Sequence, residues 1–68
     1  MTGGQLQKLL DRAGLSQRGA ARAIGISERH MRRYVAGEAD VPLVVEFALR
    51  WVIHKMEERA SPLNSEGL

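Results

Sequence analysis

Residues 17–36 read QRGAARAIGISERHMRRYVA and carry the strongest local signals of secondary structure in the chain. Ser16 and Ser27 each precede a run of helix-forming residues, which predicts that both serines are N-caps. Gly25 lies between the two runs and can adopt the positive φ that ends a helix. Small and apolar residues recur with helical spacing in both runs. These residues are Ala20, Ala21, Ile24, Met31, Tyr34 and Val35. The stretch therefore predicts two short helices joined by a tight turn.

The second of these helices is predicted to expose a dense set of charged side chains. They are Glu28, Arg29, His30, Arg32 and Arg33. Two short helices can cross steeply where a small residue such as Ala21 lies between them, and this arrangement is the helix-turn-helix motif. The motif places its second helix in the major groove of DNA. A solvated charged face is the plainer interpretation, but the small residue, the glycine and the apolar positions occur together and favour DNA binding.

Length and composition limit the chain to one small domain. With 68 residues the hydrophobic core is marginal, so association with a partner is expected. The absence of cysteine excludes disulfides and is consistent with a reducing cytoplasm, where we expect this protein to act. The longest apolar run, residues 41–53, contains Glu46 and Arg50 and is too short to cross a membrane. The sequence predicts a soluble protein.

The charge is distributed unevenly along the chain. Residues 1–36 carry seven Lys or Arg and two Asp or Glu, whereas residues 37–68 carry three and six. The first half would therefore bind a polyanion such as DNA. The second half would contact a partner that is not a phosphate polymer.

Two further helices are predicted around the central motif. Residues 5–13 place Leu6, Leu9 and Leu10 on one apolar stripe, and a glycine follows. Residues 1–4 are expected to be frayed. A fourth helix is predicted over residues 42–59, with Pro42 in its first position. Residues 1–59 are thus predicted to form an all-α, four-helix DNA-binding and dimerisation domain, and residues 60–68 a flexible tail.

The fourth helix is apolar over about 240° of its circumference at 100° per residue. A helix that packs on one side of a small domain needs an arc only a little over 100° wide. The surplus predicts a homodimer, with Glu46 and Arg50 marking the narrow side left to water. The predicted interface residues are Leu49, Trp51, Val52, Ile53 and Met56. In the alternative, Phe47 and Trp51 cover the first helix of a monomer.

Several short motifs resemble known regulators. The chain is similar to the helix-turn-helix domain of the lambda repressor/Cro (XRE-like) class over roughly residues 5–58. The residues that carry this likeness are 14–17 (GLSQ), the pair Ala21 and Gly25, and 26–27 (IS) with Met31. The chain more closely resembles the small anti-CRISPR-associated (Aca) repressors of phages and mobile elements. The segments that carry this second resemblance are 15–18 (LSQR), 26–29 (ISER), 31–32 (MR) and 45–49 (VEFAL). It implies a dimer that binds an inverted-repeat operator in double-stranded DNA and represses an anti-CRISPR operon. Gly19 departs from the pattern, because some members carry a basic residue there.

The resemblance also implies which residues touch DNA. The class reads bases from the start of the recognition helix and from one turn further along, which here means Glu28, Arg29 and Arg33. An arginine can donate two hydrogen bonds to guanine, and a carboxylate can accept one from cytosine. The predicted phosphate contacts are Gln17, Arg18, Ser27, His30 and Arg32, since helix N-termini and cations at the rim hold register without reading sequence.

Catalysis is not expected from this sequence. His30 and His54 lie on different predicted helices, without a carboxylate cluster, a nucleophile or a phosphate-binding loop. We therefore expect no enzyme activity, metal, cofactor, small-molecule ligand or membrane association. Two other binding functions remain open: an antitoxin or another Cro-like phage regulator, and a protein–protein adaptor that uses the basic face.

Overall fold

The computed structural model of the chain describes residues 1–60, which form four α-helices and no strand. The helices are α1 (Gly3–Ala13), α2 (Gln17–Ile24), α3 (Glu28–Val35) and α4 (Leu43–Ala60). The predicted all-α, four-helix fold is confirmed. Of the predicted tail, Ala60 belongs to α4, and residues 61–68 lie outside the described residues.

Side-chain caps begin the first three helices. The hydroxyl oxygen of Ser16 accepts a hydrogen bond from the Gly19 amide at 2.9 Å, and that of Ser27 accepts one from the His30 amide at 3.1 Å. Thr2 caps α1 in the same way. Each cap satisfies an amide that has no acceptor within its helix. The predicted N-caps Ser16 and Ser27 are confirmed.

The turn between α2 and α3 is built on Gly25. Its φ is 79°, a left-handed conformation in which a Cβ atom is unfavourable. The amides of Gly25 and Ile26 both donate to the Ala21 carbonyl, at 2.9 and 3.0 Å, which closes the end of α2. The predicted tight turn is therefore confirmed, and the two helices face each other across it.

The core lies where α2 packs against both α3 and α4 and where α1 packs against α3. Ala20 and Ala21 are buried at the centre of these contacts. Their small side chains let the helix axes approach closely. The other buried residues of the core cluster are Leu6, Leu10, Met31, Val45 and Leu49.

The N-terminal residues are ordered, contrary to the predicted fraying. The α1 helix already begins at Gly3, and the amino group of Met1 lies 4.0 Å from the Glu46 carboxylate. A Cβ atom at Gly3 would lie 2.6 Å from the Tyr34 carbonyl oxygen and in still closer contact with that of Val35. The α1 backbone thus packs directly on the C-terminal end of α3, which requires glycine at this position.

The α4 helix begins one residue later than predicted. The Pro42 carbonyl accepts hydrogen bonds from the amides of Val45 and Glu46, so Pro42 precedes the helix and is not its first residue. The prediction that Glu46 lies on a side left to water is also corrected. Its carboxylate is largely covered because it lies between the Met1 amino group and Arg50, whose Nη2 is 3.1 Å away.

Two residues of the predicted dimer interface belong to the core of the protomer. Leu49 is 0% exposed and Ile53 is 8% exposed, so within the protomer Leu49 offers no surface to a second chain and Ile53 offers very little. Val52 is half-buried and Met56 is exposed. The large apolar side chains that α4 leaves in solvent lie mainly in its N-terminal half. The four in that half are Leu43, Val44, Phe47 and Trp51.

Candidate nucleic-acid interface

The α3 helix is held to the domain by one face and presents the opposite face to solvent. Met31 is completely buried, whereas Arg29 and Arg33 are exposed. Both arginines are two residues from Met31 in sequence, so at 100° per residue each lies about 160° around the helix from it. They therefore flank the direction that points straight away from the core, which is where a recognition helix meets a DNA groove.

Glu28, the first residue of α3, lies between two arginines. Its Oε1 is 3.4 Å from Nε of Arg18, in the first turn of α2, and its Oε2 accepts a hydrogen bond of 3.2 Å from Nη1 of Arg32. The structure thus brings together one predicted base contact and two predicted phosphate contacts in a single ion-pair cluster. We call these three residues the Glu28 cluster.

The two remaining arginines of α3 differ in their surroundings. Nε of Arg33 lies 3.9 Å from Oε1 of Glu38, a long contact with a residue of the following loop. Within residues 1–60, the side chain of Arg29 makes no hydrogen bond or ion pair. The guanidinium group of Arg29 is consequently free to donate to a ligand without first breaking an internal contact.

Gln17 is tied back to the first helix. Its Nε2 donates to Oε1 of Gln7 at 3.1 Å, and Nε2 of Gln7 donates to Oδ1 of Asp11 at 2.8 Å. This hydrogen-bonded chain fixes the side chain that begins α2. Sequence reasoning did not identify Gln7, because a contact between residues ten positions apart leaves no periodic signal.

The other two predicted phosphate contacts, Ser27 and His30, lie at the N-terminal end of α3. The ring of His30 stacks on Tyr34 with a centroid distance of 6.4 Å and an interplanar angle of 23°. Ser27 uses its hydroxyl oxygen as the cap of α3, which leaves its hydroxyl hydrogen available as a donor. Both side chains are exposed, so a duplex lying along α3 could reach them.

A second exposed surface, on α4, is apolar at one end and charged at the other. Phe47 is 61% exposed and Trp51 is 60% exposed. Nζ of Lys55 lies 4.8 Å from the centroid of the Trp51 ring, a cation–π distance. We call the outward surface formed by Leu43, Val44, Phe47 and Trp51 the α4 apolar face.

The comparisons with known proteins agree with this geometry. Residues 3–51 match the profile of a family described as a helix-turn-helix domain. Because the match covers more than half of the chain, the protein belongs to this helix-turn-helix domain family. No curated protein and no solved structure gives a significant match.

The family and the four-helix fold together define a DNA-binding regulator of the XRE-like type. Such domains typically bind DNA without catalysing a reaction. Over residues 1–60, no helix is long and apolar enough to span a membrane. In the same range, no three His, Cys, Asp or Glu side chains are grouped so that they could hold a metal ion.

Proposed function

We propose that this protein is a dimeric, sequence-specific transcriptional repressor that binds an inverted-repeat operator. The proposal is carried by the pair Arg29 and Arg33, two exposed residues that flank the direction pointing away from buried Met31. Solubility alone does not require two cations at the centre of the outward face of α3. Arginine side chains that enter the major groove can each donate two hydrogen bonds to guanine.

In this proposal the residues around α3 divide by task. Arg29 and Arg33 read bases, and Glu28 is the third candidate of this kind. The residues at the rim would hold the phosphate backbone and set the register of α3 in the groove. They are Gln17, Arg18, Ser27, His30 and Arg32.

The dimer is proposed to form through the α4 apolar face. Four large apolar side chains in solvent are costly to leave uncovered in a domain this small. Antiparallel packing of residues 43–51 of two chains would put Phe47 near the two-fold axis and Leu43 opposite Trp51 of the partner subunit. The two recognition helices would then enter successive major grooves, about 34 Å apart.

The regulated genes are proposed from the resemblance to the Aca repressors. Segment 45–49 is the part of that resemblance that is least general to the class, and it supplies both the core and the α4 apolar face. We propose that the operator lies in the promoter of an anti-CRISPR operon that includes the gene of this protein. Repression of its own synthesis would follow.

Selection from a library of random duplexes tests sequence-specific binding by a dimer. We expect the recovered sites to contain two half-sites in opposite orientation, with centres about one helical turn apart. A footprint on the DNA that flanks the gene should cover the same sequence. Recovery of a single half-site without symmetry would contradict the dimeric arrangement.

A salt titration separates a DNA-binding regulator from a protein–protein adaptor. Affinity for duplex DNA should fall linearly on a plot of log K against log salt, because each phosphate contact releases counterions. An adaptor would bind duplexes weakly and would not enrich any sequence.

Repression itself is measured with a reporter fused to the flanking promoter. A reporter that is unaffected by the protein would contradict the proposal that this protein is a repressor.

A further inference from the structure

The arginines on and beside α3 differ in whether they form an ion pair within the protein. Arg29 has no internal partner within the described residues, whereas Arg18 and Arg32 share the carboxylate of Glu28. Both oxygens of that carboxylate are engaged, one by each guanidinium group. Of the two proposed base-reading arginines, Arg29 is thus free and Arg33 makes only a long contact of 3.9 Å with Glu38, whereas two of the proposed phosphate contacts share one carboxylate in the absence of DNA.

The pairs in this cluster are open to solvent. The side chains of Arg18, Glu28 and Arg32 are 67%, 40% and 60% exposed. Ion pairs this exposed contribute little to folding stability, since water and salt screen them. Their larger consequence concerns what the arginines can bind, because a phosphate that approaches either guanidinium group meets a carboxylate already in place.

We propose that Glu28 is a positioning residue that limits non-specific DNA binding by holding Arg18 and Arg32. The inference rests on the proposed use of these two arginines as phosphate contacts. On a duplex without the operator sequence, the phosphates must displace Glu28 or share the arginines with it, and its negative charge repels them. On the operator, the contacts of Arg29 and Arg33 provide the free energy that allows the exchange.

This role differs in a measurable way from that of a base contact. If Glu28 only accepted a hydrogen bond from a cytosine, its loss would weaken operator binding and leave random duplexes unchanged. If Glu28 restrains the arginines, its loss strengthens binding to random duplexes. The ratio of operator to random affinity falls in both cases, so the two absolute affinities must be measured separately.

The experiment compares the full chain with its Glu28→Gln, Glu28→Asp and Glu57→Gln variants. Glu57 is exposed on α4, so its replacement removes one negative charge outside the cluster. Glu28→Asp keeps the charge but shortens the side chain by one methylene, so it cannot reach both guanidinium groups as well. Each protein is titrated with a random duplex and with the selected operator at several salt concentrations, and thermal melting shows that the fold is retained.

For Glu28→Gln we expect random-duplex affinity to rise about three- to tenfold more than for Glu57→Gln, and the salt dependence to steepen by about one phosphate per protomer. Glu28→Asp should lie between Glu28→Gln and the unmodified protein. Equal affinities of Glu28→Gln and Glu57→Gln for the random duplex would overturn the proposal, and so would a loss confined to the operator. If the unmodified protein bound no duplex, the proposed function itself would fail, which the first titration shows before any variant is compared.

Discussion

The outward faces of α3 and α4 make an instructive contrast. Both helices bury one side against the same core, α3 through Met31 and α4 through Leu49. On the far side, α3 presents Arg29 and Arg33, whereas α4 presents Phe47 and Trp51. The two faces thus have opposite chemistry, one cationic and the other apolar.

The difference shows that a helix can carry an excess of charge or an excess of apolar surface. The α3 helix has more positive charge than solubility requires, and α4 has more apolar surface than one small core can cover. Each excess indicates a partner of complementary chemistry. Because the faces lie on different helices, a substitution on one should leave the other intact, and this independence can be tested.

The largest effect is expected from the arginines of α3. If a bidentate contact to guanine is worth about 1–3 kcal/mol, Arg29→Ala should weaken operator binding by roughly 2–6 kcal/mol per dimer. Random duplexes should lose much less affinity, and the dimer should persist. Arg33→Ala is expected to behave similarly. Titrations of both duplexes at one salt concentration give the two losses.

Arg59→Ala is the matched control for these variants, because it removes the same charge from the exposed C-terminal end of α4. It should change both affinities only slightly. Equal losses on operator and random DNA for Arg29→Ala and Arg33→Ala would show that the base-reading residues lie elsewhere.

On α4, Phe47→Glu should dissociate the dimer. The substitution puts two carboxylates close to the proposed two-fold axis, and we expect the dimer dissociation constant to rise at least about 100-fold, or roughly 2.7 kcal/mol. Sedimentation at micromolar concentration measures the change. Gln5→Glu adds the same charge to α1 at a position where glutamate preserves the capping box, so it should remain dimeric. A wild-type protein that sediments as a monomer would contradict the proposal that the α4 apolar face forms a dimer.

A substitution at Gly3 tests the packing of α1 against the C-terminal end of α3. Gly3→Ala should lower the free energy of unfolding by about 1–3 kcal/mol, because the new methyl group meets the carbonyl oxygens of Tyr34 and Val35. In Gly4→Ala the nearest atom to the new methyl group is Oγ1 of Thr2 at 3.9 Å, so that variant should be as stable as wild type or more stable, by up to about 1 kcal/mol. Urea denaturation compares the two. Equal stabilities would mean that α1 can shift away from α3 without cost.

The smallest effect is expected at the cap of α2. Ser16→Ala removes the acceptor of the Gly19 amide and should destabilise the fold by about 1 kcal/mol. Ser16→Asp supplies another acceptor and should restore most of this loss. Thermal melting of the two variants checks the prediction, and a melting temperature of Ser16→Ala equal to that of wild type would contradict it.

Local features of the fold were predictable from the sequence because their causes lie within a few residues. Ser16, Gly25 and Ser27 mark helix ends through hydrogen bonds to near neighbours, and the spacing of small and apolar residues located the buried side of α2 and α3. Contacts between distant segments were not predictable in this way. The approach of Gly3 to Val35 and the pairing of Arg18 with Glu28 leave no periodic pattern.

The α4 helix shows the limit of periodicity most directly. An apolar arc of about 240° indicates that more than one surface is covered, but it does not show which part faces the core of the protomer. The arc therefore predicts Leu49 and Ile53 in the dimer interface, although the structure buries both within one chain. The exposed residues Phe47 and Trp51 lie on the other side of the same arc.

Trp51 is the only tryptophan of the chain, and its position gives the protein an optical reporter. The indole lies on the α4 apolar face with Lys55 over its ring, so its emission responds to the solvent around that face. Excitation that is selective for tryptophan does not detect the α3 surface, whose aromatic residues are His30 and Tyr34. A shift of the emission to shorter wavelength on raising the protein concentration would accordingly record association of the chains, without a label and without DNA.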